Sequence, residues 1–375
     1  MKVLIAGGGT GGHLFPGIAL AEEITTRHSK NAAVFVGTAR GIELREVPKA
    51  GFPLELVEVS GLKGKGLWAK IRGLLKLPLA LLQSVAILRR HRPDVVVGVG
   101  GYASGPVLLA AWLRRLPIAV QEQNAVPGVT NRILGRLARA VFTAFPEAEA
   151  HFPRGKVWLF GNPIRRSLME NFLRPAPPRD GGFSLLVFGG SQGAHALNVR
   201  LVEAIGRLPE PLRASIRIVH QTGGRDLAEV RAGYEKLGLA ADVREFIDDM
   251  SGAYRAADLV VCRAGASTLA ELTVCRKASI LVPFAAAADD HQTVNAKSLV
   301  SKGAAVAIAE RDLDADRLAR EIAALASNPA RREEMARAAG RLGRPEAARE
   351  IADACALLAA HRSLAAEAPP ERLEP

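Results

Sequence analysis

Two glycine-rich strings carry the first chemical signal in this 375-residue chain. Gly7-Gly8-Gly9-Thr10-Gly11-Gly12-His13 follows the apolar run Lys2–Ala6 and precedes a helical stretch with Pro16 in its opening turn. A strand, a glycine loop and a helix start in that order let the backbone approach an anion, and the unpaired amides and dipole of the helix start favour phosphate oxygens. A diphosphate is the natural guest. Gly7, Gly9 and Gly12 also satisfy the G-x-G-x-x-G spacing of a nicotinamide dehydrogenase. That reading needs an acid about 20 residues further on, at the end of the second strand, to hold a ribose. Here that strand ends in Gly37-Thr38.

The second string, Gly189-Gly190-Ser191-Gln192-Gly193-Ala194, follows the run LLVF and leads into a helix near His195. It also matches G-x-S-x-G, the elbow of an α/β-hydrolase nucleophile, with His220 and His291 downstream as partners. A hydrolase elbow sits in one continuous sheet, whereas this loop opens a second half that mirrors an earlier anion-binding loop. Metal chemistry finds no footing: there is no D-x-D motif placed to chelate a nucleotide–metal complex, and Asp248-Asp249 and Asp289-Asp290 lie near helix starts, as caps do. Cys262, Cys275 and Cys355 are too few and too scattered for a disulfide framework or a zinc site.

The elements that must position these loops are short β-type runs alternating with longer helical stretches, the pattern of parallel sheets flanked by helices. In the first half the strands are expected at Lys2–Ala6, Ala33–Val36, Leu54–Val59, Asp94–Val99, Ile118–Gln121 and Val157–Phe160. The second half restarts at Ser184–Phe188 and continues at Ile216–His220, Asp242–Phe246, Asp258–Cys262, Ser279–Val282 and Ala304–Ile308. Between them, Asn171–Gly182 is rich in proline and glycine and suits an exposed joint. The chain length favours two domains, and 49% hydrophobic residues are enough to bury two cores. The amino terminus runs straight into a strand and lacks the features of a signal peptide, so export is not expected.

The net charge of +12 is asymmetric: residues 1–165 hold 22 Lys+Arg against 10 Asp+Glu, and residues 166–375 hold 28 of each. The first half therefore has an anionic partner: nucleic acid, a membrane surface or a phosphorylated substrate. From Gly61 the chain sets Lys63, Lys65, Lys70, Arg72 and Lys76 beside Leu67, Trp68, Leu74 and Leu75. The apolar part is shorter than the roughly 20 residues of a membrane span, and Pro78 interrupts it. Its composition suits the surface of an anionic bilayer, with Val85, Ile87 and Leu88 turned into the core. Aromatic residues make up only 5% of the chain and no stacking motif accompanies the lysines, which argues against nucleic acid.

Between and beyond the loops lie Gly100-Gly101-Tyr102-Ala103-Ser104-Gly105-Pro106, Gln121-Glu122-Gln123-Asn124 and Gly161-Asn162-Pro163-Ile164-Arg165. The second half adds Arg263-Ala264-Gly265-Ala266-Ser267-Thr268-Leu269-Ala270-Glu271, Val282-Pro283-Phe284 and Asp290-His291-Gln292-Thr293-Val294-Asn295-Ala296. In content and order these strings resemble the MurG family of bacterial cell-wall glycosyltransferases, from Lys2 to about residue 355. The resemblance implies an α/β protein of GT-B architecture, with two Rossmann-like domains whose parallel sheets face an interdomain cleft. It implies an N-terminal acceptor and membrane domain over 1–163, a C-terminal UDP-sugar domain over 164–344, last helices (about 345–362) that pack back on the first domain, and a loose tail over 363–375.

The activity implied is inverting transfer of N-acetylglucosamine from UDP-N-acetylglucosamine to the 4-hydroxyl of N-acetylmuramic acid in lipid I (undecaprenyl-diphosphate-MurNAc-pentapeptide), giving lipid II for peptidoglycan. No metal or other cofactor is implied, and the place of work is the cytoplasmic face of the inner membrane, held peripherally. On the donor side the resemblance carries over Thr10, Gly11, Gly12, Asn124, Arg165, Ser191, Ile247, Ala266, Ser267, Thr268, Glu271, Gln292 and Asn295. Ser191 would meet the diphosphate, Ile247 the uracil, Glu271 the ribose, and Gln292 and Asn295 the sugar hydroxyls. Tyr102 and His13 would line the acceptor site. Sugar transfer needs the acceptor hydroxyl deprotonated and the leaving diphosphate stabilised. His13 is the leading candidate for the base, as a residue type that changes protonation near neutrality, and Glu122 is the alternative. Gln121 stands where the family string has histidine, so no histidine role transfers to that position. The nearest rival keeps the fold and moves another sugar to another lipid; a nucleotide-sugar-binding protein without activity is a further alternative.

Overall fold

The computed structural model describes residues 1–59, 76–174, 182–190, 193–285, 287 and 290–361. The chain divides into two compact units. The first comprises Met1–Gln123, Pro127–Arg165 and the chain from Glu346; the second comprises Asn124–Val126 and Arg166–Pro345.

The first unit is built on seven parallel strands: β1 (Lys2–Gly7), β2 (Ala32–Gly37), β3 (Leu54–Leu56), β4 (Val95–Gly100), β5 (Ile118–Glu122), β6 (Ala140–Thr143) and β7 (Val157–Leu159). They lie in the order β3-β2-β1-β4-β5-β6-β7. Strands β4 and β5 are buried along their whole length, as strands covered by helices on both faces must be, which is why β4 reads as an unbroken run of valine and glycine. The carboxyl ends of β1 and β4 are neighbours at the point where the strand order reverses, the place where α/β sheets open a crevice. The helix Ala347–Ala359 joins this unit from the far end of the chain: Ile351, Ala352, Cys355 and Leu358 are buried among Val3, Ile5, Leu14 and Leu20. Arg27 ties the helix down through Asp353 at 2.5 Å.

The second unit has six parallel strands, β8 (Ser184–Phe188), β9 (Arg217–Gln221), β10 (Asp242–Arg244), β11 (Leu259–Cys262), β12 (Ser279–Leu281) and β13 (Val306–Ala307), in the order β10-β9-β8-β11-β12-β13. Its strand order repeats that of the first sheet up to the sixth strand, so β8 and β11 stand where β1 and β4 stand. Its core gathers Leu185, Val187, Leu201, Val261, Ile280 and Leu318.

Three local expectations are corrected. β6 was not expected: AVFT lies in an alanine- and arginine-rich stretch, and a four-residue buried strand shows no alternation to separate it from a helix turn. Pro16 is not in an opening turn. The helix begins at Gly11 and runs to Arg27, so Pro16 lies in its second turn, where the ring nitrogen cannot donate back to Gly12. Asn171 and Phe172, placed in the joint, instead end the helix Arg166–Phe172. By contrast Asp249 caps the helix Met250–Ala256, accepting from Gly252 N–H at 2.9 Å and from the Ser251 hydroxyl at 2.6 Å.

Candidate active site

In the first unit the loop after β1 and the loop after β4 are packed backbone against backbone. Gly8 N–H donates to Gly100 O at 3.3 Å, a Cβ on Gly7 would come within 2.2 Å of Gly100 O, and one on Gly101 within 2.5 Å of Gly8 O. Gly100 and Gly101 both have positive φ, +92° and +83°, so glycine is required there for conformation and for space. His13 sits in the first turn of Gly11–Arg27 over this junction, half-buried, with Nδ1 3.0 Å from Gln123 Oε1. Tyr102 is 51% exposed at the tip of the β4 loop and so is not a packed core tyrosine.

The first loop already holds an anion of its own. Glu43 is buried beneath it, accepting from Gly9 N–H at 2.8 Å, from Thr38 N–H at 2.9 Å and from the Thr38 hydroxyl at 3.0 Å. Gly8, Gly37 and Gly41 make room for the Glu43 side chain, since a Cβ on any of them would meet it at 2.7 Å or less. Its negative charge stands at the end of β2, where a dinucleotide enzyme needs an acid free to face a ribose, and it takes an amide that a pyrophosphate would use. The dehydrogenase alternative ends there. Sequence reasoning missed Glu43, because its reach back to Gly9 is a tertiary fact.

Glu122, at the end of β5, is 1% exposed and accepts from Asn131 Nδ2 at 2.9 Å and Gly128 N–H at 3.2 Å. Those bonds brace the start of the helix Val129–Leu137. Gln121 is buried too, its Nε2 donating to Gly161 O at 3.1 Å. Arg165 lays its guanidinium over the Phe15 ring at 5.2 Å. Thr10 and Gly12 are exposed at the start of the first helix, and Gly11 is half-buried.

In the second unit the loop after β8 and the helix start after β11 occupy the corresponding place. Ser191 and Gln192 lie outside the described residues, but the loop's flanks are fixed. Gly193 has φ +76°, and a Cβ there would come within 2.0 Å of Thr222 O. Gln221 bridges two loops: its Nε2 donates to Gly190 O at 3.0 Å and its Oε1 accepts from Ile247 N–H at 2.9 Å. Ala266, Ser267 and Thr268 form the first turn of the helix Ala266–Val274, whose amino end offers backbone amides and positive dipole to an anion. Glu271, one turn on, accepts from the Tyr254 hydroxyl at 2.9 Å. Gln292 Oε1 accepts from Phe284 N–H at 3.0 Å, a bond between the first turn of the helix His291–Val300 and the chain just after β12. Asn295 is fully buried, accepting from Ala125 N–H at 2.8 Å and donating to Asn124 Oδ1 at 3.2 Å. Arg263 pairs with Glu310 and lies over the Phe284 ring at 5.2 Å. His220, a partner for a hydrolase serine in that alternative, is sealed in the core with its ring nitrogens bonded to Asn198 and Tyr234.

The predicted membrane residues Lys65, Leu67, Trp68, Lys70, Leu74 and Leu75 lie outside the described residues. The helix that follows, Leu77–His91, turns Ala80, Ser84, Ile87 and Leu88 inward and leaves Leu79 and Leu82 out, Leu82 at 69% exposure. Beside it, the helix Ser104–Leu113 ends on exposed Trp112 and Leu113, followed by exposed Arg114 and Arg115. Trp112 and Leu113 escaped the sequence reading because SGPVLLAAWL is apolar all round and shows no face. Among the described residues, no helix is long and apolar enough to cross a membrane.

Comparison with known proteins agrees along the whole length. A family model for the glycosyltransferase family 28 N-terminal domain matches residues 3–143, and one for the family 28 C-terminal domain matches residues 184–353. The chain is 65% identical, over 96% of its length and 94% of the relative's, to the UDP-N-acetylglucosamine–N-acetylmuramyl-(pentapeptide) pyrophosphoryl-undecaprenol N-acetylglucosamine transferase of Anaeromyxobacter dehalogenans. Its identity to the transferase of the same name from Myxococcus xanthus is 62%, over 95% and 92% of the two chains. The crystal structure of Acinetobacter baumannii MurG superimposes with a TM-score of 0.78 at 31% identity, covering 95% of this chain and 99% of that one. With two parallel-sheet domains of matching strand order and both halves of the family model in place, the chain belongs to glycosyltransferase family 28, among the GT-B enzymes of the MurG family.

Proposed function

We infer that the chain transfers N-acetylglucosamine from UDP-N-acetylglucosamine to the 4-hydroxyl of N-acetylmuramic acid in lipid I, forming lipid II. The observation that carries this reading is the 65% identity, over 96% of the chain, to a transferase of that name. In the reaction the acceptor O4 loses its proton to His13 as O4 forms its bond to the sugar C1. The bond from C1 to the diphosphate oxygen breaks on the opposite face, its electron pair leaves with UDP, and the α-linked sugar becomes β-linked. His13 is the better placed of the two candidate bases, since Glu122 is 1% exposed and engaged by Asn131 and Gly128.

The second unit takes the donor. The amino end of Ala266–Val274, with Ser267 and Thr268, together with the Ser191 loop, receives the diphosphate and stabilises the charge that builds on it as the bond breaks. Ile247 meets the uracil and Glu271 the ribose. Gln292, Asn124 and Asn295 face or support the sugar, and Thr10, Gly11, Gly12 and Arg165 are assigned to the same donor by the family resemblance. Tyr102 lines the acceptor side. The first unit docks on the anionic cytoplasmic leaflet through Leu79 and Leu82, which follow the Lys65–Leu75 segment in sequence, and through Trp112 and Leu113 with Arg114 and Arg115 after them. A lipid-linked acceptor requires such docking, and the +12 charge of residues 1–165 supports it.

Transfer of radiolabel from UDP-N-acetylglucosamine to a short-chain lipid I analogue tests the reading. Product containing the new disaccharide is expected. Label transferred only to another lipid-linked sugar, or stabilisation against heat by NADH and not by UDP, would overturn it.

A further inference from the structure

We propose that Gln123 is a positioning residue that fixes the reactive tautomer of His13. Gln123 is 1% exposed at the end of β5, so its amide has no water to satisfy it. Its Nε2 donates to Val99 O at 3.0 Å. A backbone carbonyl only accepts, so the NH2 end of the amide is the end that faces Val99, and the oxygen end faces His13. That oxygen lies 3.0 Å from His13 Nδ1. An amide oxygen has no proton to give, so Nδ1 carries the hydrogen and the lone pair of the neutral ring resides on Nε2.

The ring has little freedom to escape this arrangement. A Cβ on Gly100 would come within 2.8 Å of Nδ1 and 3.0 Å of Cε1, so the imidazole rests directly on the Gly100 backbone. Gly100 leaves the space, Val99 orients the amide, and the amide orients the ring. The chain Val99 O, Gln123, His13 thus does with a neutral group what a buried carboxylate does in the serine-hydrolase triad: it selects a tautomer and an orientation. Unlike a carboxylate, it adds no charge behind the ring.

This inference rests on the assignment of His13 as the base, and the test separates the two. Long-range 1H–15N spectra of the full-length protein labelled with 15N-histidine, with His13 identified by its loss in His13→Ala, read the tautomer without any turnover. The expected wild-type pattern is protonated Nδ1 and bare Nε2, with the pattern mixed or reversed in Gln123→Leu. In kinetics, Gln123→Leu should lower kcat by about tenfold or more with donor KM within about twofold of wild type, and Gln123→Leu with His13→Ala should be no slower than His13→Ala alone. A wild-type spectrum with protonated Nε2, or wild-type kcat in Gln123→Leu beside a crippled His13→Ala, overturns the role of Gln123. Wild-type turnover in His13→Ala overturns the base assignment instead. Should Gln123→Leu fail to fold, the wild-type spectrum alone decides the tautomer.

Discussion

His220 Nε2 donates to Asn198 Oδ1 at 3.1 Å in the core of the second unit, an orientation forced by Asn198, whose own NH2 donates to Asp226 and Thr222. The other ring nitrogen then accepts from the Tyr234 hydroxyl at 3.1 Å. Burial pushes the His220 imidazole down from 6.5 to about 3, against a smaller opposing pull from Asp226. The unfolded chain binds a proton near pH 6.5 and the folded one does not until about pH 3, so folding is progressively disfavoured as pH falls through that window. The slope from this one group approaches ~1.4 kcal/mol per pH unit. Urea melts of wild type and His220→Gln between pH 7 and 4, an interval chosen to lie mostly inside that window, should show a shallower pH dependence in the variant.

Glu43→Gln replaces one acceptor oxygen with an NH2 group facing amide donors at Gly9 or Thr38. Loss of about 1–3 kcal/mol in stability is expected, with slower turnover because the His13 loop is no longer braced. Thermal melts and steady-state kinetics measure the two effects separately. A variant as stable and as fast as wild type would mean that the loop holds its shape without this carboxylate.

Gly193→Ala places a methyl 2.0 Å from Thr222 O at a position with φ +76°. The backbone must move there, beside the loop proposed to receive the donor diphosphate. The stabilisation conferred by saturating UDP should shrink, with at least about a tenfold weaker affinity by calorimetry, equivalent to ~1.4 kcal/mol.

Leu82→Glu and Trp112→Glu exchange exposed apolar side chains for charges of the wrong sign for an anionic surface. Sedimentation with vesicles rich in anionic lipid should fall severalfold for each variant and further for the pair. Melting should be unchanged within about 0.5 kcal/mol, because neither side chain is in the core.

The parts of the fold that were plain in the sequence are those where local chemistry dictates structure. The glycines at 7–9 and 100–101 mark where strands give way to loops, and a β-branched apolar run such as VVVGVG suits a covered strand. β6 was hidden because AVFT is too short to show a period. The site was legible as a set of strings but not as a set of duties. Gln123 stood in plain view between Glu122 and Asn124, yet only the distance to His13 gives it work, and Glu43 lies 34 residues from the amide it serves. The proposed docking face was only half visible, because Trp112 belongs to a helix whose sequence is apolar on every side. Asn295 was legible as a candidate for the sugar hydroxyls, but its bonds to the backbone of Ala125 and the side chain of Asn124 join residues about 170 positions apart and show only in the structure.

The helix Ala347–Ala359 sets the order in which the molecule can be completed. As the chain leaves the ribosome, strands β1 to β7 emerge first, but the surface formed by Val3, Ile5, Leu14 and Leu20 waits for Ile351, Cys355 and Leu358. The half made earliest is finished last, after an entire second domain has been synthesised. Until then its greasy flank is open to chaperones and to other nascent chains. A stop codon near residue 346 would spare every loop of the candidate site and still leave the first unit without its closing helix.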